Sequence, residues 1–290
     1  MSYKLRILSL GAGVQSSTIL LMACKGELPK PDAAIFADTG WETAVTYMHL
    51  EWLKIEAGKH GIPVIVVDSG NLKDKLLESH NFIGPCDKKR MGSIPFFTKQ
   101  TNGNVGMLRR QCTADHKIVP IKKQIRKMLG LKPKQWAPKD CVEQWIGIST
   151  DEAQRMFTRK RDRMAVMRFP LLEWKPMSRM DCMKWLHENY NIVVPKSSCV
   201  GCPYHSQNEW RNLSSNEFTD ACNFDEATRR KGGIRGDLFL HRSCMPLSEV
   251  DLRTPEERGQ QIFDFYKNDK LNLFLNNISI HSNDMGEYVI

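Results

Sequence analysis

Short apolar runs alternate with amphipathic stretches at the start of this 290-residue chain. Residues 4–10, 33–37 and 62–67 are apolar and have the length of buried strands. Between them, residues 15–25 and 43–60 space their apolar side chains as helices do. Strands that alternate with helices in this way predict an α/β fold built on a doubly wound parallel sheet.

The second half of the chain has a different organisation. A further strand is predicted at residues 142–148, and helices are predicted at residues 117–129, 178–189, 216–230 and 255–267. We therefore expect an α/β domain over residues 1–175 and a mostly helical, cysteine-containing region over residues 176–290. Residues 84–116 contain several glycines and show no periodicity, which predicts a long basic loop within the first domain.

Basic residues are concentrated in two segments. Residues 85–135 contain 13 Lys and Arg against only Asp87 and Asp115, in a chain with a formal net charge of +9. Residues 155–168 form a second basic cluster, with Asp162 as its one acid. Such blocks indicate a polyanionic partner, either a nucleic acid or a nucleotide with several phosphates. A solvated basic face is the alternative.

The composition indicates a cytoplasmic protein. No stretch approaches the roughly 20 apolar residues of a membrane span, and the first residues lack the features of a secretory signal. We therefore expect no membrane association. The nine cysteines are an odd number, which favours free thiols, metal binding or redox chemistry over a disulfide framework.

A glycine-rich and serine-rich segment lies where the first predicted strand gives way to the first helix. Its glycines let the backbone approach a phosphate, and the first helical amides would point at that phosphate. The segment matches neither a Walker A loop nor a complete dinucleotide fingerprint. Its predicted phosphate-binding residues are Ser9, Gly11, Gly13, Gln15, Ser16, Ser17 and Thr18.

This segment and five later blocks resemble the PP-loop ATP pyrophosphatase superfamily, in its phosphoadenosine phosphosulfate reductase-like branch. The family commonly has Ser-Gly-Gly-x-Asp-Ser in its loop, whereas Gln15 stands here in place of the aspartate. The resemblance covers about residues 4–215. Its later blocks are the Asp-Thr-Gly turn of residues 36–42 and residues 109–121, 147–155, 169–174 and 198–204.

The resemblance implies a Rossmann-like, adenine nucleotide alpha hydrolase-like fold and the use of ATP with Mg²⁺. In the family, ATP is cleaved between its α- and β-phosphates, the substrate becomes adenylated, and a nucleophile displaces AMP. Asp38, Cys112 and Lys117 are the catalytic residues that the resemblance implies. Its further nucleotide-binding residues are Asp38, Thr39, Gly40, Gly147 and Arg155.

Four cysteines are candidate metal ligands. Cys199 and Cys202 form a Cys-x-x-Cys turn of the kind that presents two thiolates to one metal or cluster. Cys112 lies among arginines, and Cys244 is the expected fourth ligand, with Cys222 as a competitor. A [4Fe–4S] cluster, as in sulfur-handling members of the family, is the interpretation that the resemblance favours. A structural zinc and no metal at all are the alternatives.

Three functions are compatible with the sequence. The first is ATP-dependent sulfur transfer to a nucleic acid, tRNA or DNA, with a sulfur-donor protein as a possible partner; the basic blocks favour it. The second is reduction of a small sulfonucleotide by a phosphoadenosine phosphosulfate reductase, although no cysteine follows Cys244. The third is nucleotide binding without turnover, for which Gln15 is the one argument.

Overall fold

The computed structural model describes residues 4–78, 94–156, 162–231 and 236–259. Parts of three predicted features lie outside these residues. They are residues 84–93 of the basic loop, residues 157–161 of the second basic cluster and residues 260–267 of the last predicted helix.

Five parallel strands form the main sheet, in the order β3-β2-β1-β6-β7. The first three strands fill one side in sequence order, and the chain then returns to the other side of β1. This is the arrangement of a Rossmann-like α/β sheet. Its strands are β1 (Leu5–Leu10), β2 (Ala33–Asp38), β3 (Val64–Asp68), β6 (Val142–Ile146) and β7 (Ala165–Arg168).

Eight α-helices lie within the described residues. Three of them, α6, α7 and α8, begin with a capping box in which a serine and an acidic residue three positions later exchange hydrogen bonds. The helices are α1 (Val14–Cys24), α2 (Ala44–Lys59), α3 (Leu72–Glu78), α4 (Val119–Met128), α5 (Pro170–Glu173), α6 (Arg179–Tyr190), α7 (Gln207–Arg211) and α8 (Ser215–Thr228).

Helices cover both faces of the main sheet. Successive strand residues point to opposite faces, so Leu8 packs in one hydrophobic cluster and Ile7 in another. The first cluster includes Leu53 of α2 and Leu186 of α6, while the second includes Ile125 of α4. Helix α1 is buried along its whole length. The segment after residue 175 thus contributes to the same core as the first helices.

A small antiparallel sheet lies outside the main one. Strand β4 (Phe97–Lys99) pairs with β5 (Val105–Met107) on one side and with β8 (Asp237–Phe239) on the other. The chain between β3 and β6 is therefore fastened to a segment near residue 240 by backbone hydrogen bonds. None of these three-residue strands was expected from the sequence.

The predicted elements of the α/β region are confirmed, with differences at their ends. The helix expected at residues 117–129 begins earlier, because a π-helical turn over Thr113–Ile118 runs directly into α4. Strand β7 was not predicted, since four residues between basic neighbours show little periodicity. Residues 255–259 form turns, so the described start of the helix predicted at 255–267 is not helical.

Residues Met1–Val250 make up one compact unit and Asp251–Ile290 a second. In the described part of the second unit, Arg253 forms a two-pronged ion pair with Asp251. Among the described residues, every helix is too short or too polar to cross a lipid bilayer.

Candidate functional site

The glycine-rich and serine-rich segment forms a turn at the carboxyl end of β1. In the sheet, β1 lies between β2 and β6. The strands before β6 extend the sheet to one side of β1, and β6 and β7 extend it to the other side, so β1 marks the switch point of the strand order. Ligands of open α/β sheets bind in the crevice that opens at such a switch point. We call the turn at residues 11–13, with the first turn of α1, the phosphate loop.

Ser16 holds the phosphate loop in shape. Its hydroxyl accepts a hydrogen bond from the Gly11 amide at 3.1 Å and donates to the Gly13 carbonyl at 3.2 Å. Gly13 is the N-cap of α1, and no side chain caps the helix there. The first turn of α1 also carries no acidic residue. Its amides and the positive end of the helix dipole are therefore available to an anion.

Gln15 fastens the phosphate loop to two other segments. Its Nε2 donates to Ser149 Oγ at 3.2 Å and to Glu152 Oε2 at 3.3 Å, beyond the end of β6. Its Oε1 accepts from Arg179 Nη1 at 3.4 Å. Arg155, a predicted nucleotide ligand, pairs with the same Glu152 carboxylate. Gln15 thus links the phosphate loop to the chain beyond β6 and to α6.

Gly147 lies directly against the phosphate loop. A Cβ atom at this position would stand 2.9 Å from the Ser16 amide nitrogen and 3.2 Å from the Gln15 carbonyl carbon. Both are backbone atoms, so a side chain here would push the loop out of place. The turn after β6 therefore packs backbone against backbone on the phosphate loop, and only glycine fits at this position.

Three predicted phosphate ligands have their hydroxyls engaged by other protein groups. Ser9 accepts a hydrogen bond from Gln144 Nε2 at 2.8 Å. Ser17 Oγ lies 2.9 Å from His49 Nε2, and Thr18 donates to the Val14 carbonyl at 2.8 Å. Ser17 and Thr18 are fully buried. Their hydroxyls face the core. Of the predicted phosphate-binding residues, Gly11, Gly13, Gln15 and Ser16 therefore form the phosphate loop.

The Asp-Thr-Gly turn follows β2, next to the phosphate loop. Asp38 Oδ1 accepts hydrogen bonds from the Gly40 amide at 2.7 Å and from the Tyr47 hydroxyl at 2.8 Å. Thr39 is buried, and its hydroxyl donates to Glu42 Oε1 at 3.1 Å. The Gly40 carbonyl accepts from Asn71 Nδ2 at 2.8 Å. These bonds fix the turn and place the Asp38 carboxylate at the carboxyl end of its strand.

Glu42 is the centre of a buried polar group beside this turn. Its side chain has no exposed surface, and Lys117 Nζ pairs with Oε1 at 3.1 Å. The Cys199 thiol lies 3.6 Å from the same oxygen and 3.3 Å from Thr39 Oγ1. The other carboxylate oxygen, Oε2, is buried and has no hydrogen-bond partner among the described residues. A buried acceptor without a partner is rare unless a ligand or water completes it.

Burial and charge act in opposite directions on these groups. Burial disfavours the charged form of Lys117, but the charge and hydrogen bond of Glu42, together with Cys199, outweigh it and raise the pKa of Lys117 to about 12. Burial, followed by Glu42, raises the pKa of the Cys199 thiol well above its usual range, while Lys117 acts to lower it. These shifts favour the cationic form of Lys117 and the neutral thiol form of Cys199.

The Cys-x-x-Cys turn packs against the residues that follow β2. Glu42 and Cys199 form an isolated antiparallel bridge, and the Val200 amide donates to the Trp41 carbonyl at 2.8 Å. Gly201 lies under the Trp41 ring, where a Cβ would come within 2.1 Å of Cη2. These contacts join the cysteine turn to the Asp-Thr-Gly turn, so two blocks far apart in sequence form one site.

The four predicted metal ligands divide into two places. Cys112 is at the start of the π-helical turn, within electrostatic range of Cys202. Burial raises the pKa of the Cys202 thiol, while the Tyr204 amide and Arg110 act to lower it. Cys244 lies beside the small sheet, with Sγ 4.0 Å from the Thr98 carbonyl. Within the described ranges, no three His, Cys, Asp or Glu side chains form a metal-binding group.

Some residues of the site were not singled out from the sequence. Glu42 was included only in the block of residues 36–42. Its position between Trp41 and the start of a helix is a sequence feature by which it could have been identified. The sequence gives no indication of the role of Arg179, because its partner Gln15 is 164 positions away. His116 was also not singled out; it is buried, and its Nδ1 lies 2.9 Å from Ser69 Oγ.

Comparisons with protein-family models and with curated proteins gave no significant match. The class of the protein therefore rests on the fold and the site. The sheet is that of a Rossmann-like α/β protein, with its candidate site at the carboxyl ends of β1, β2 and β6.

Proposed function

We propose that this protein is a PP-loop-type enzyme that uses ATP to adenylate a substrate, with release of pyrophosphate, and that the reaction serves sulfur transfer to a nucleic acid. One observation carries the proposal most directly. The uncapped amino terminus of α1 opens at the switch point of the sheet, in a loop braced by Gln15 and by the backbone at Gly147. This arrangement suits the phosphates of a nucleotide.

Charged residues around the loop support a triphosphate ligand with magnesium. The first-turn amides of α1 would contact the phosphates, and Arg155 would lie close by through its contact with Glu152. Magnesium prefers carboxylate and phosphate oxygens. Asp38 would hold it, since both of its hydrogen bonds within the turn use Oδ1. The ion would neutralise the pyrophosphate as it leaves.

The proposed reaction has two steps. A substrate oxygen attacks the α-phosphorus of ATP, the bond from that phosphorus to the bridging oxygen breaks, and pyrophosphate leaves. A sulfur nucleophile from the donor then attacks the activated carbon, and AMP leaves with the oxygen. Lys117, a cation paired with Glu42 beside the Asp-Thr-Gly turn, would stabilise negative charge on the transferring groups.

The thiols support sulfur chemistry but, as arranged, do not form a four-cysteine ligand set. Cys199 and Cys202 share one turn and Cys112 is near Cys202, whereas Cys244 contacts the small sheet. The reaction above therefore uses no cluster. The [4Fe–4S] cluster remains a separate hypothesis, with zinc as its rival. Anaerobic purification followed by iron and sulfide analysis tests it: about four irons per chain would support the cluster, and a metal-free protein would refute it.

Radiolabelled ATP tests the proposed activity. The protein is incubated with Mg²⁺ and ATP labelled at the α-phosphate, with and without bulk tRNA, single-stranded DNA or a sulfonucleotide. Labelled AMP together with pyrophosphate supports cleavage between the α- and β-phosphates. Labelled ADP, or no turnover with any acceptor, contradicts the proposal. Release of sulfite from phosphoadenosine phosphosulfate without ATP, in a parallel incubation with a dithiol that supplies the two electrons, would instead support the sulfonucleotide reductase.

Two serine variants make the test specific to the loop. Ser16→Ala removes both hydrogen bonds that hold the loop in shape, and we expect AMP formation to fall at least about tenfold, as for the loss of about 1.4 kcal/mol of transition-state stabilisation. Ser215→Ala changes an exposed serine at the start of α8 and serves as the matched control. Equal activity of both variants would mean that turnover takes place elsewhere.

A further inference from the structure

Trp136 is unusually exposed. Its side chain retains 80% of its accessible surface, more than any other large hydrophobic residue in the described part of the chain. Tryptophan normally buries most of its large apolar surface. A ring left in water on a folded segment is typical of a surface that binds something flat or apolar.

The ring is part of a basic cleft with a cavity of about 410 Å³. The Arg163 guanidinium carbon lies 5.2 Å from the centre of the Trp136 ring, within cation–π distance. Arg126 lines the same cavity and donates through Nη2 to the Gln135 carbonyl at 2.7 Å and to the Lys132 carbonyl at 3.3 Å. These bonds hold the backbone that carries the ring, so the cleft is built into the fold.

The cleft is positively charged. Lys122 is paired with Asp162 at 2.7 Å, while Arg126, Lys134 and Arg163 are three further cations of the lining. The surrounding sequence strengthens this field, because residues 116–139 contain no Asp or Glu. The basic residues of that segment are Lys117, Lys122, Lys123, Arg126, Lys127, Lys132, Lys134 and Lys139.

The cleft is separate from the candidate nucleotide site. Arg163 and Met164 immediately precede β7, and the Asp140 amide just before β6 donates to the Arg163 carbonyl at 2.8 Å. The cleft is therefore at the amino ends of these strands, whereas the phosphate loop is at the carboxyl end of β1. A five-residue strand is roughly 16 Å long, so a single small nucleotide does not reach both places.

We propose that this cleft binds a single-stranded stretch of nucleic acid, with one base stacked on Trp136 and the neighbouring phosphates on Arg126, Lys134 and Arg163. Stacking on an aromatic ring within a basic groove is how proteins hold unpaired nucleotides. An acidic peptide would satisfy the cations but would offer no flat ring to Trp136. The inference rests on the proposed function, since the polynucleotide would be the acceptor whose reacting part extends to the phosphate loop.

The first test measures base stacking. Fluorescein-labelled oligothymidylate and oligouridylate are titrated into the wild type, Trp136→Phe and Trp136→Ala, with anisotropy as the readout. We expect Trp136→Ala to bind about tenfold more weakly and Trp136→Phe to bind nearly as well as the wild type, because a phenyl ring still stacks. An abasic strand of the same length should bind the wild type and Trp136→Ala equally. Equal affinity of all three proteins for oligothymidylate and oligouridylate would overturn the proposal.

The second test measures charge and uses a matched control. Lys134→Gln should weaken binding and reduce the slope of log affinity against log salt by about one. Lys184→Gln removes a lysine of 66% side-chain exposure on α6 and should change neither. Competition by polyglutamate as effective as that by oligothymidylate would indicate an acidic protein partner and overturn the nucleic-acid assignment.

The two proposals fail in different ways. Labelled AMP formed by a protein that does not bind either oligonucleotide through Trp136 would refute the cleft and leave the adenylation chemistry standing. If oligonucleotide binding depends on Trp136 but the protein does not turn over ATP, the adenylation proposal is refuted and the cleft proposal stands. The ratio of affinities for oligouridylate and oligothymidylate then identifies RNA or DNA as the preferred strand.

Discussion

Removal of Lys117 should destabilise the protein through the carboxylate it leaves behind. The Lys117–Glu42 pair is 3.1 Å long, Glu42 is fully buried and Lys117 is 31% exposed. At that distance, with an effective dielectric constant of about 20, the attraction is about 5 kcal/mol. Thr39 and Cys199 also donate to Glu42 and would still do so in Lys117→Met. We therefore expect a loss near the lower end of the range for broken buried pairs, about 3 kcal/mol.

A double-mutant cycle in urea tests this reasoning. Glu42→Gln/Lys117→Met removes both charges, so it should cost only about 1 kcal/mol, less than Lys117→Met alone and less than the sum of the two single losses. Lys54→Met breaks the exposed pair with Glu51 and should cost less than about 1 kcal/mol. Unfolding midpoints at constant m-value provide the comparison. A Lys117→Met variant as stable as Lys54→Met, or a double variant equal to the sum of the two single losses, would refute the argument.

Three further changes have defined outcomes. Gly147→Ala should displace the Ser16 backbone and weaken binding of ATP with Mg²⁺ about tenfold or more by calorimetry, for a packing cost of about 1–3 kcal/mol; wild-type affinity would contradict the contact. Gly201→Ala should collide with the Trp41 ring and lower the free energy of unfolding by about 2 kcal/mol or more, with altered tryptophan fluorescence; an unchanged spectrum would argue against it. Burial lowers the pKa of His49 to about 4. Because its unfolded-state pKa is higher, at about 6.5, the unfolded chain binds the extra proton first, and up to roughly 3 kcal/mol of stability should be lost as the pH falls from about 6.5 to 4. A His49→Gln variant should lose that part of the pH dependence, and an unchanged profile would contradict the assignment.

The parts of the fold that the sequence predicted are those with strong local patterns. Strands β1, β2, β3 and β6 are apolar runs bounded by turn residues, and α1, α2, α6 and α8 show helical spacing. The strands of the small sheet have three residues each, too few for an alternation to be recognised. The pairing of β4 with β8 also depends on residues about 140 positions apart, such as Phe97 and Phe239, and no local signal encodes such a contact.

The candidate site shows the same division. The phosphate loop and the Asp-Thr-Gly turn could be located because glycines directly after a predicted strand indicate a tight turn whose backbone can approach a ligand closely. The roles of individual side chains depended on distant partners. The Ser17 hydroxyl, for example, lies 2.9 Å from Nε2 of His49, which is 32 positions away in the sequence. Gln15 and Glu42 likewise act through residues 75 or more positions away.

The strand order has a consequence for synthesis on the ribosome. β1, β2 and β3 leave the exit tunnel first and can pair at once, but the other edge of β1 has to wait for β6. Everything between Asp68 and Val142 is translated in the meantime, including the hairpin of β4 and β5. During that interval the growing chain exposes a row of unpaired β1 backbone groups, which is a site for wrong pairing with another chain. We expect fragments that end before Val142 to aggregate more than fragments that extend past Tyr190, because the longer ones contain β6, β7 and the core residues of α6.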